Sequence, residues 1–142
     1  MGLILDTSIL IAAERRRFSI TDFLTREAST QPIFICSITV SELLHGVARA
    51  NTTRRRKARS EFVNAILDDY PVLAFDVEAA RVHAELWATL KVSGTLIGSH
   101  DLLIAATALA RRHSLATLNA EEFRRVAKLR VLDCERYRMS KG

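Results

Sequence analysis

Apolar residues follow two alternating patterns along the chain. Short apolar runs bounded by polar or turn-forming residues predict buried β-strands, and longer segments with apolar residues three to four positions apart predict amphipathic α-helices. The predicted strands are Leu3–Leu5, Ile33–Cys36, Val72–Phe75, Leu115–Leu118 and Val131–Leu132. The predicted helices are a short one from near Ile9 into Glu14–Arg17, then Thr39–Ala50, Arg54–Asp69, one capped by Asp76 and reaching about Val92, Ser99–Arg112 and Ala120–Val126.

This alternation of strands and helices predicts an α/β fold. Its central sheet is expected to be mostly parallel, with helices on both faces. We find no internal repeat and no linker, so residues 1–142 are predicted to form a single domain. In open sheets of this kind ligands bind outside the carboxyl ends of the strands, and candidate chemistry is sought there.

The composition fits such a domain. Hydrophobic residues make up 49% of the 142 residues, enough for a compact core. No apolar run approaches the roughly 18 residues of a membrane helix, and Asp6 interrupts the apolar N-terminus, which argues against a signal peptide. Two cysteines are too few for a disulfide framework. We therefore expect a cytoplasmic protein that does not contact a membrane.

The charge of the chain adds a class of partner. The formal net charge is +5 and the pI is near 9.8, which favours a polyanionic partner. Basic residues cluster at Arg15–Arg17, Arg54–Arg59 and Arg111–Arg112. Each cluster alone is also explained as a solvated face.

Four polar residues stand at predicted junctions of strands and helices. Asp6 directly follows the first strand, Glu42 ends the segment Thr39-Val40-Ser41-Glu42, Asp101 lies in the first turn of a helix, and Asn119 follows a strand. Each has a purely structural interpretation. Asp6 is a possible helix cap, Glu42 fits a capping box, Asp101 is favoured by the helix dipole, and Asn119 fits a cap with Glu122 at N3.

Their combination points to a metal site. The helix after Asp101 is apolar and small from Leu102 to Ala110, so we expect Asp101 to be drawn inward. Carboxylates that converge at one sheet edge repel one another, and a divalent cation relieves this repulsion. Oxygen ligands favour Mg²⁺ or Mn²⁺, and no histidine pairing typical of zinc is present.

Four sequence blocks resemble the PIN domain and, more narrowly, the VapC ribonuclease toxins of bacterial type II toxin–antitoxin systems. In chain order they are Asp6-Thr7-Ser8, Thr39-Val40-Ser41-Glu42-Leu43 with Gly46, Gly94–Gly98 leading into Asp101–Ala108, and Thr117-Leu118-Asn119 followed by Glu122-Phe123. The resemblance covers nearly the whole chain. It implies a PIN-like three-layer fold and a Mg²⁺-dependent endoribonuclease in which Mn²⁺ can substitute.

The resemblance also implies a set of site residues. The catalytic residues would be Asp6, Glu42, Asp101 and Asn119, and the first three would hold the metal. Asn119 departs from the aspartate frequent at the fourth position, which makes Glu122 a candidate for the missing carboxylate. Supporting roles are expected for neighbouring polar and basic residues: Thr7 and Ser8 would hydrogen-bond a carboxylate or a phosphate, and Arg15, Arg16 and Arg17 would contact RNA phosphates.

The resemblance further implies partners. A cognate antitoxin would place its C-terminal segment in the active-site groove, and operator DNA would be bound only indirectly, through the antitoxin. The substrate would be RNA, and the chain would form a homodimer.

Two other functions stay open from the sequence. Asn119 allows a catalytically weak or inactive PIN-like module that binds RNA or protein. An apolar strand that ends in an aspartate, as the first strand does at Asp6, also occurs in phosphatases with an aspartyl nucleophile. These usually carry a second aspartate two residues later, where this chain has Ser8.

Overall fold

The computed structural model describes residues 1–140, so the last two residues of the predicted domain lie outside the described residues. Five strands form one sheet in which every pairing is parallel, in the order β3-β2-β1-β4-β5. The strands are β1 (Leu3–Leu5), β2 (Ile33–Cys36), β3 (Val72–Leu73), β4 (Ser114–Thr117) and β5 (Val131–Asp133).

Helices connect the strands. They are α1 (Thr7–Glu14), α2 (Ile20–Phe23), α3 (Ser37–Ala48), α4 (Thr53–Asp69), α5 (Val77–Ser93), α6 (Ser99–Arg111) and α7 (Ala120–Phe123). A π-helical turn, Leu24–Ala28, continues α2, and a 3₁₀ turn, Glu135–Tyr137, follows β5. None of the helices within residues 1–140 combines the length and hydropathy needed to cross a lipid bilayer.

The central strand β1 separates two apolar layers, because successive side chains of a strand point to opposite faces. Leu3 and Leu5 pack with α1, α3 and α4, through residues such as Leu10. Ile4 packs with α5, α6 and α7, through residues such as Ile104. Helices therefore cover both faces of the sheet, which confirms the predicted α/β three-layer architecture.

Most predicted elements are found within a few residues of their predicted bounds. The strands Leu3–Leu5 and Ile33–Cys36 are found as predicted, and Asp76 caps α5 by accepting a hydrogen bond from the Ala79 amide at 2.9 Å. The structure shortens β3 to two residues and ends α7 at Phe123. It begins α3 at Ser37 instead of Thr39.

The sequence did not predict the helical segment from Ile20 to Ala28. This segment is held by the chain near its C-terminal end, where the Ser19 amide donates to the Tyr137 carbonyl at 2.9 Å. The Phe23 and Tyr137 rings pack edge to face, with centroids 5.5 Å apart. The segment therefore depends on residues more than a hundred positions away.

The strand order determines where a site can form. From β1 the chain proceeds outward to β2 and β3, and then returns to the other side of β1 to form β4 and β5. The carboxyl ends of β1 and β4 are thus neighbours at the point where the strand order reverses, with Leu5 opposite Ala116. Such a switch point is the usual ligand-binding crevice of a parallel sheet.

Candidate active site

Asp6 lies at this switch point and is almost fully buried, with 3% of its surface exposed. Its Oδ2 accepts hydrogen bonds from the hydroxyl groups of Ser8 and Thr117, each at 2.7 Å. Burial raises the pKa of Asp6, the two hydroxyl groups lower it in part, and the charge of Glu42 raises it further. Asp6 precedes α1, but its side chain caps none of the helix amides. Helix capping therefore does not explain why an acid stands here.

Glu42 is connected to the Asp6 region through Thr7. The Thr7 hydroxyl donates to Glu42 Oε1 at 2.8 Å and lies 2.9 Å from the hydroxyl of Thr39, which is fully buried. Across from Thr7, His100 Nδ1 is 3.5 Å from Glu42 Oε2. The Glu42 carboxylate is thus held between α1 and α6.

The capping-box interpretation of Glu42 is wrong. The helix α3 follows β2 without a loop and begins at Ser37, so Thr39 is already inside the helix. Glu42 accordingly lies in the second turn of α3 and not in the first. The Glu42 side chain approaches the switch point from within α3, through its hydrogen bond with Thr7.

Asp101 is the third residue of α6 and is partly buried, as expected from the apolar helix that follows it. Its pKa is raised to about 7, chiefly by burial and then by the charges of Asp6, Glu122 and Glu42. A helix N-terminus favours the charged carboxylate, so burial together with the acidic neighbours outweighs the helix dipole here. The charges of Asp6, Glu42 and Glu122 therefore all act on Asp101. These four acids are called the acidic group below.

Glu122 is placed more directly in this group than Asn119. Its Oε1 accepts from the Gly98 amide at 2.7 Å, and its Oε2 accepts from the Asn119 side-chain amide at 2.5 Å. A Cβ atom at Gly98 would lie 3.4 Å from Asp101 Oδ2 and 3.7 Å from Glu122 Oε1, so both carboxylates meet at this glycine. Asn119 itself is exposed and holds Glu122 from one side.

Asn119 occupies the N-cap position of α7, as predicted, but the predicted capping hydrogen bonds are absent. Its side chain makes no capping hydrogen bond to α7. Its backbone amide donates to the Thr117 hydroxyl at 2.9 Å, so Glu122 does not complete a capping box with it. The polar residues after β4 are therefore directed toward one another and toward Gly98.

The chemistry of these donors fits a hard divalent cation. The side chains are carboxylates, supported by hydroxyl and amide groups, and the pKa values of Asp6 and Asp101 are raised, first by burial and then by the neighbouring acids. Within residues 1–140, no group of three or more His, Cys, Asp or Glu side chains is placed so that it could hold a metal ion as the side chains stand. The fit is therefore one of ligand type and charge.

The structure adds three residues that the sequence did not indicate as site residues: Thr39, His100 and Thr117. Thr117 is fully buried at the end of β4, and the signal available in the sequence was a polar residue within the predicted strand Leu115–Leu118. The basic cluster is only partly near the site. Arg15 lines a groove that reaches Glu42, whereas Arg16 and Arg17 are exposed and do not line it.

Comparisons with known proteins show which family the chain belongs to. The family model of the PIN domain matches residues 3–129. The chain is 38% identical over 133 residues to Ribonuclease VapC1 of Rickettsia felis, covering 93% of this chain and 96% of that protein. It is 31% identical over 105 residues to the tRNA(fMet)-specific endonuclease VapC of Salmonella typhimurium, covering 74% and 77%.

A solved structure is similar over nearly the whole chain. It is a chain of VapBC2 from Rickettsia felis bound to a DNA fragment from their promoter, with a TM-score of 0.85, 28% sequence identity, and coverage of 94% of this chain and 98% of that one. The protein therefore belongs to the PIN-domain family. Within it, the chain is a member of the VapC ribonucleases, the toxins of toxin–antitoxin systems. The family predicted from the sequence is confirmed.

Proposed function

We propose that this VapC ribonuclease is a Mg²⁺-dependent endonuclease that hydrolyses RNA phosphodiesters with water as the nucleophile. The supporting observation is the acidic group at the switch point. The buried Asp6 carboxylate has two hydroxyl donors on one oxygen, and Asp101 has its pKa raised to about 7 by burial and by three acidic neighbours. Such strongly perturbed acids in one crevice are typical of catalytic sites.

Asp6, Asp101 and Glu42 would hold the divalent ion, Mg²⁺ or Mn²⁺. When bound, the ion would supply an activated water and positive charge against the phosphodiester. Glu122 is a further acid at the same place, and Asn119 would act through it. Ser8 and Thr117 would orient Asp6, and Thr7 would orient Glu42.

Hydrolysis of this kind leaves 5′-phosphate and 3′-hydroxyl ends, because water attacks phosphorus and the 3′-oxygen departs. The proposed substrate is RNA, with Arg15, Arg16 and Arg17 contacting phosphates. A relative is named for cleavage of initiator tRNA, so tRNA is the first substrate to test.

We also propose a cognate antitoxin as the regulating partner. The similar Rickettsia felis structure is a toxin–antitoxin pair on promoter DNA. By extension, the antitoxin of this chain would place its C-terminal segment in the active-site groove and would carry the contact with operator DNA. The toxin would act as a homodimer in the cytoplasm.

The first test measures cleavage of a set of RNAs that includes initiator tRNA, in Mg²⁺, in Mn²⁺ and in EDTA, with the fragment ends mapped. We expect cutting only with metal, and 5′-phosphate ends. Asp6→Asn and Asp101→Asn should each lower the rate by at least about 100-fold, since even residues that only support metal ligands cost up to about that much. The matched control is Asp68→Asn, an exposed acid in α4, which should cut normally.

Other outcomes would favour the alternatives. RNA binding that needs no metal, leads to no cutting and survives Asp6→Asn would identify a non-catalytic binding module. An acyl-phosphate on Asp6, formed with a phosphate ester and trapped by denaturation, would identify a phosphatase. Near-normal cleavage by either aspartate variant would contradict the proposed site.

A further inference from the structure

A groove leads away from Glu42 between α1, α3 and α4. Its inner part is lined by Glu42, Arg49 and the end of α1, and its outer part by Arg55 and Phe62 of α4. Glu14, Arg15 and Arg59 line both parts, so the two parts adjoin at these side chains and together mark one path. The inner end of this path is an acid of the candidate active site.

The groove carries a net positive charge outside the active site. Four arginines line it, at positions 15, 49, 55 and 59, against Glu14 and the site residue Glu42. Among residues 1–140, none of these arginines lies within ion-pair distance of a carboxylate. Their charges are therefore available to an anionic partner.

Two of the arginines are fixed by neutral groups. Arg59 Nη1 donates to the Gly46 carbonyl at 2.8 Å, and Arg55 Nη1 donates to Asn51 Oδ1 at 2.9 Å. These bonds orient each guanidinium group without neutralising it. Positioned charges of this kind lose little conformational freedom when they contact phosphates.

We propose that this groove, defined by Arg15, Arg49, Arg55 and Arg59, holds the RNA strand that flanks the scissile phosphate. The inference rests on the proposed ribonuclease function. The phosphates on one side of the cleavage point lie along the four arginines, and the strand reaches the acids at Glu42. Phe62 lines the outer part of the groove and packs against the hydrophobic core beneath it.

The charge of the groove favours a polyanion as its occupant. A nucleic-acid strand brings one negative charge per nucleotide, which matches a row of arginines, and it must in any case pass the acids to be cut. Of the basic cluster Arg15–Arg17, only Arg15 lines the groove. It lies there with arginines from α4 and from the end of α3.

The test compares RNA binding by two triple variants of the full chain, each with two arginine substitutions added to Asp6→Asn. Both carry Asp6→Asn, and binding of a fluorescein-labelled, mixed-sequence oligoribonucleotide is measured in EDTA across a range of salt concentrations. Arg15→Gln with Arg49→Gln removes two groove charges without disturbing the Arg59 bond to α3. Arg26→Gln with Arg81→Gln removes the same charge from exposed positions outside the groove.

We expect the negative slope of log K against log salt to become shallower by about 1.4 in the groove variant, since each phosphate contact on a single strand contributes about −0.7 to that slope. The control variant should keep the parental slope. In chains that retain Asp6, the groove substitutions should raise the KM for RNA several-fold and change kcat little, because they remove binding remote from the reacting atoms.

The outcomes separate this proposal from the proposed function. If the wild-type chain neither binds nor cuts RNA, the ribonuclease function fails. If it cuts RNA but the groove and control variants behave alike, the groove proposal alone is wrong. If the groove variant keeps its RNA slope but no longer captures the co-expressed antitoxin, the groove is an antitoxin surface and the RNA path lies elsewhere.

Discussion

Two hydroxyl groups set the orientation of the Asp6 carboxylate. The Ser8 oxygen accepts a hydrogen bond from the Leu118 amide at 3.2 Å, and the Thr117 oxygen accepts one from the Asn119 amide at 2.9 Å. Because the backbone occupies an acceptor position on each hydroxyl group, its proton is free to point to Asp6 Oδ2. The backbone at the end of β4 thus fixes the two hydroxyl groups, and these fix the Asp6 carboxylate.

Thr117→Val tests this role while keeping the side-chain shape. We expect turnover on RNA to fall about 10- to 100-fold, as is usual when a partner of a metal ligand is removed, with the KM nearly unchanged. The unfolding free energy should drop by about 1–3 kcal/mol, because the variant leaves buried polar groups without a partner. Thr117→Ser, which keeps the donor, should restore most of the turnover.

The control for Thr117→Val is Thr107→Val. Thr107 is equally buried, but its hydroxyl donates to Leu103 of its own helix at 2.9 Å. This variant should cost stability without a comparable loss of turnover. Equal turnover in the two valine variants would show that the Thr117 hydroxyl serves only the fold.

Among the elements, those with a local signal were predicted correctly. The strands before Asp6 and before α3 are short apolar runs, and the acids after β1 and at the start of α6 follow directly from the order of elements. The bounds of α3 were misjudged because the chain passes from β2 into the helix without a loop. A capping pattern indicates a helix start only where the residues before it are not already helical, and here Ser37 and Ile38 are helical.

The remaining site residues could not be predicted because they are brought together by strand order. Thr117 meets Asp6 only because β4 returns beside β1, and His100 meets Glu42 only because α6 begins opposite α3. The segment Ile20–Ala28 is similarly non-local, since Tyr137 donates a hydrogen bond to Glu27 at 3.0 Å. Neither periodicity nor residue spacing contains this information.

The first turn of α6 gives a pH-dependent prediction. The folded state raises the pKa of Asp101 from the ordinary 3.8 to about 7, so the folded chain binds this proton more tightly than the unfolded chain. The contribution of Asp101 to the unfolding free energy is therefore favourable at low pH and is lost as pH rises from about 4 to about 7.

Urea denaturation in EDTA at several pH values checks this. Across that window, the unfolding free energy of the wild type should fall more steeply with pH than that of Asp101→Asn. Above pH 7 the variant should be the more stable protein, because its side chain carries no charge beside the other acids. Asp68→Asn should follow the wild-type curve. An Asp101→Asn curve parallel to that of the wild type would show that the folded state does not raise the pKa of Asp101.

The molecule as a whole builds its core without the acids. Apolar layers on both faces of the sheet supply the packing, and no buried side-chain nitrogen or oxygen within residues 1–140 lacks a hydrogen-bond partner. The acidic group is a local cost carried at the edge of this core. We therefore expect the chain to fold without an ion, and an ion that binds the native state should add stability by mass action.

Thermal unfolding with and without Mg²⁺ measures this added stability independently of any cleavage assay. At a concentration about 100 times the dissociation constant, a ligand of the native state contributes about 2.7 kcal/mol, which corresponds to a shift in Tm of several degrees for a chain of this size. Asp6→Asn and Asp101→Asn should reduce the shift, and Asp68→Asn should keep it. NaCl of equal ionic strength accounts for screening of the acids.

A wild-type shift that survives in both site variants would place the ion elsewhere. Tight RNA binding with no Mg²⁺ shift would instead favour the non-catalytic module, because the acids would then lack the ion that offsets their repulsion.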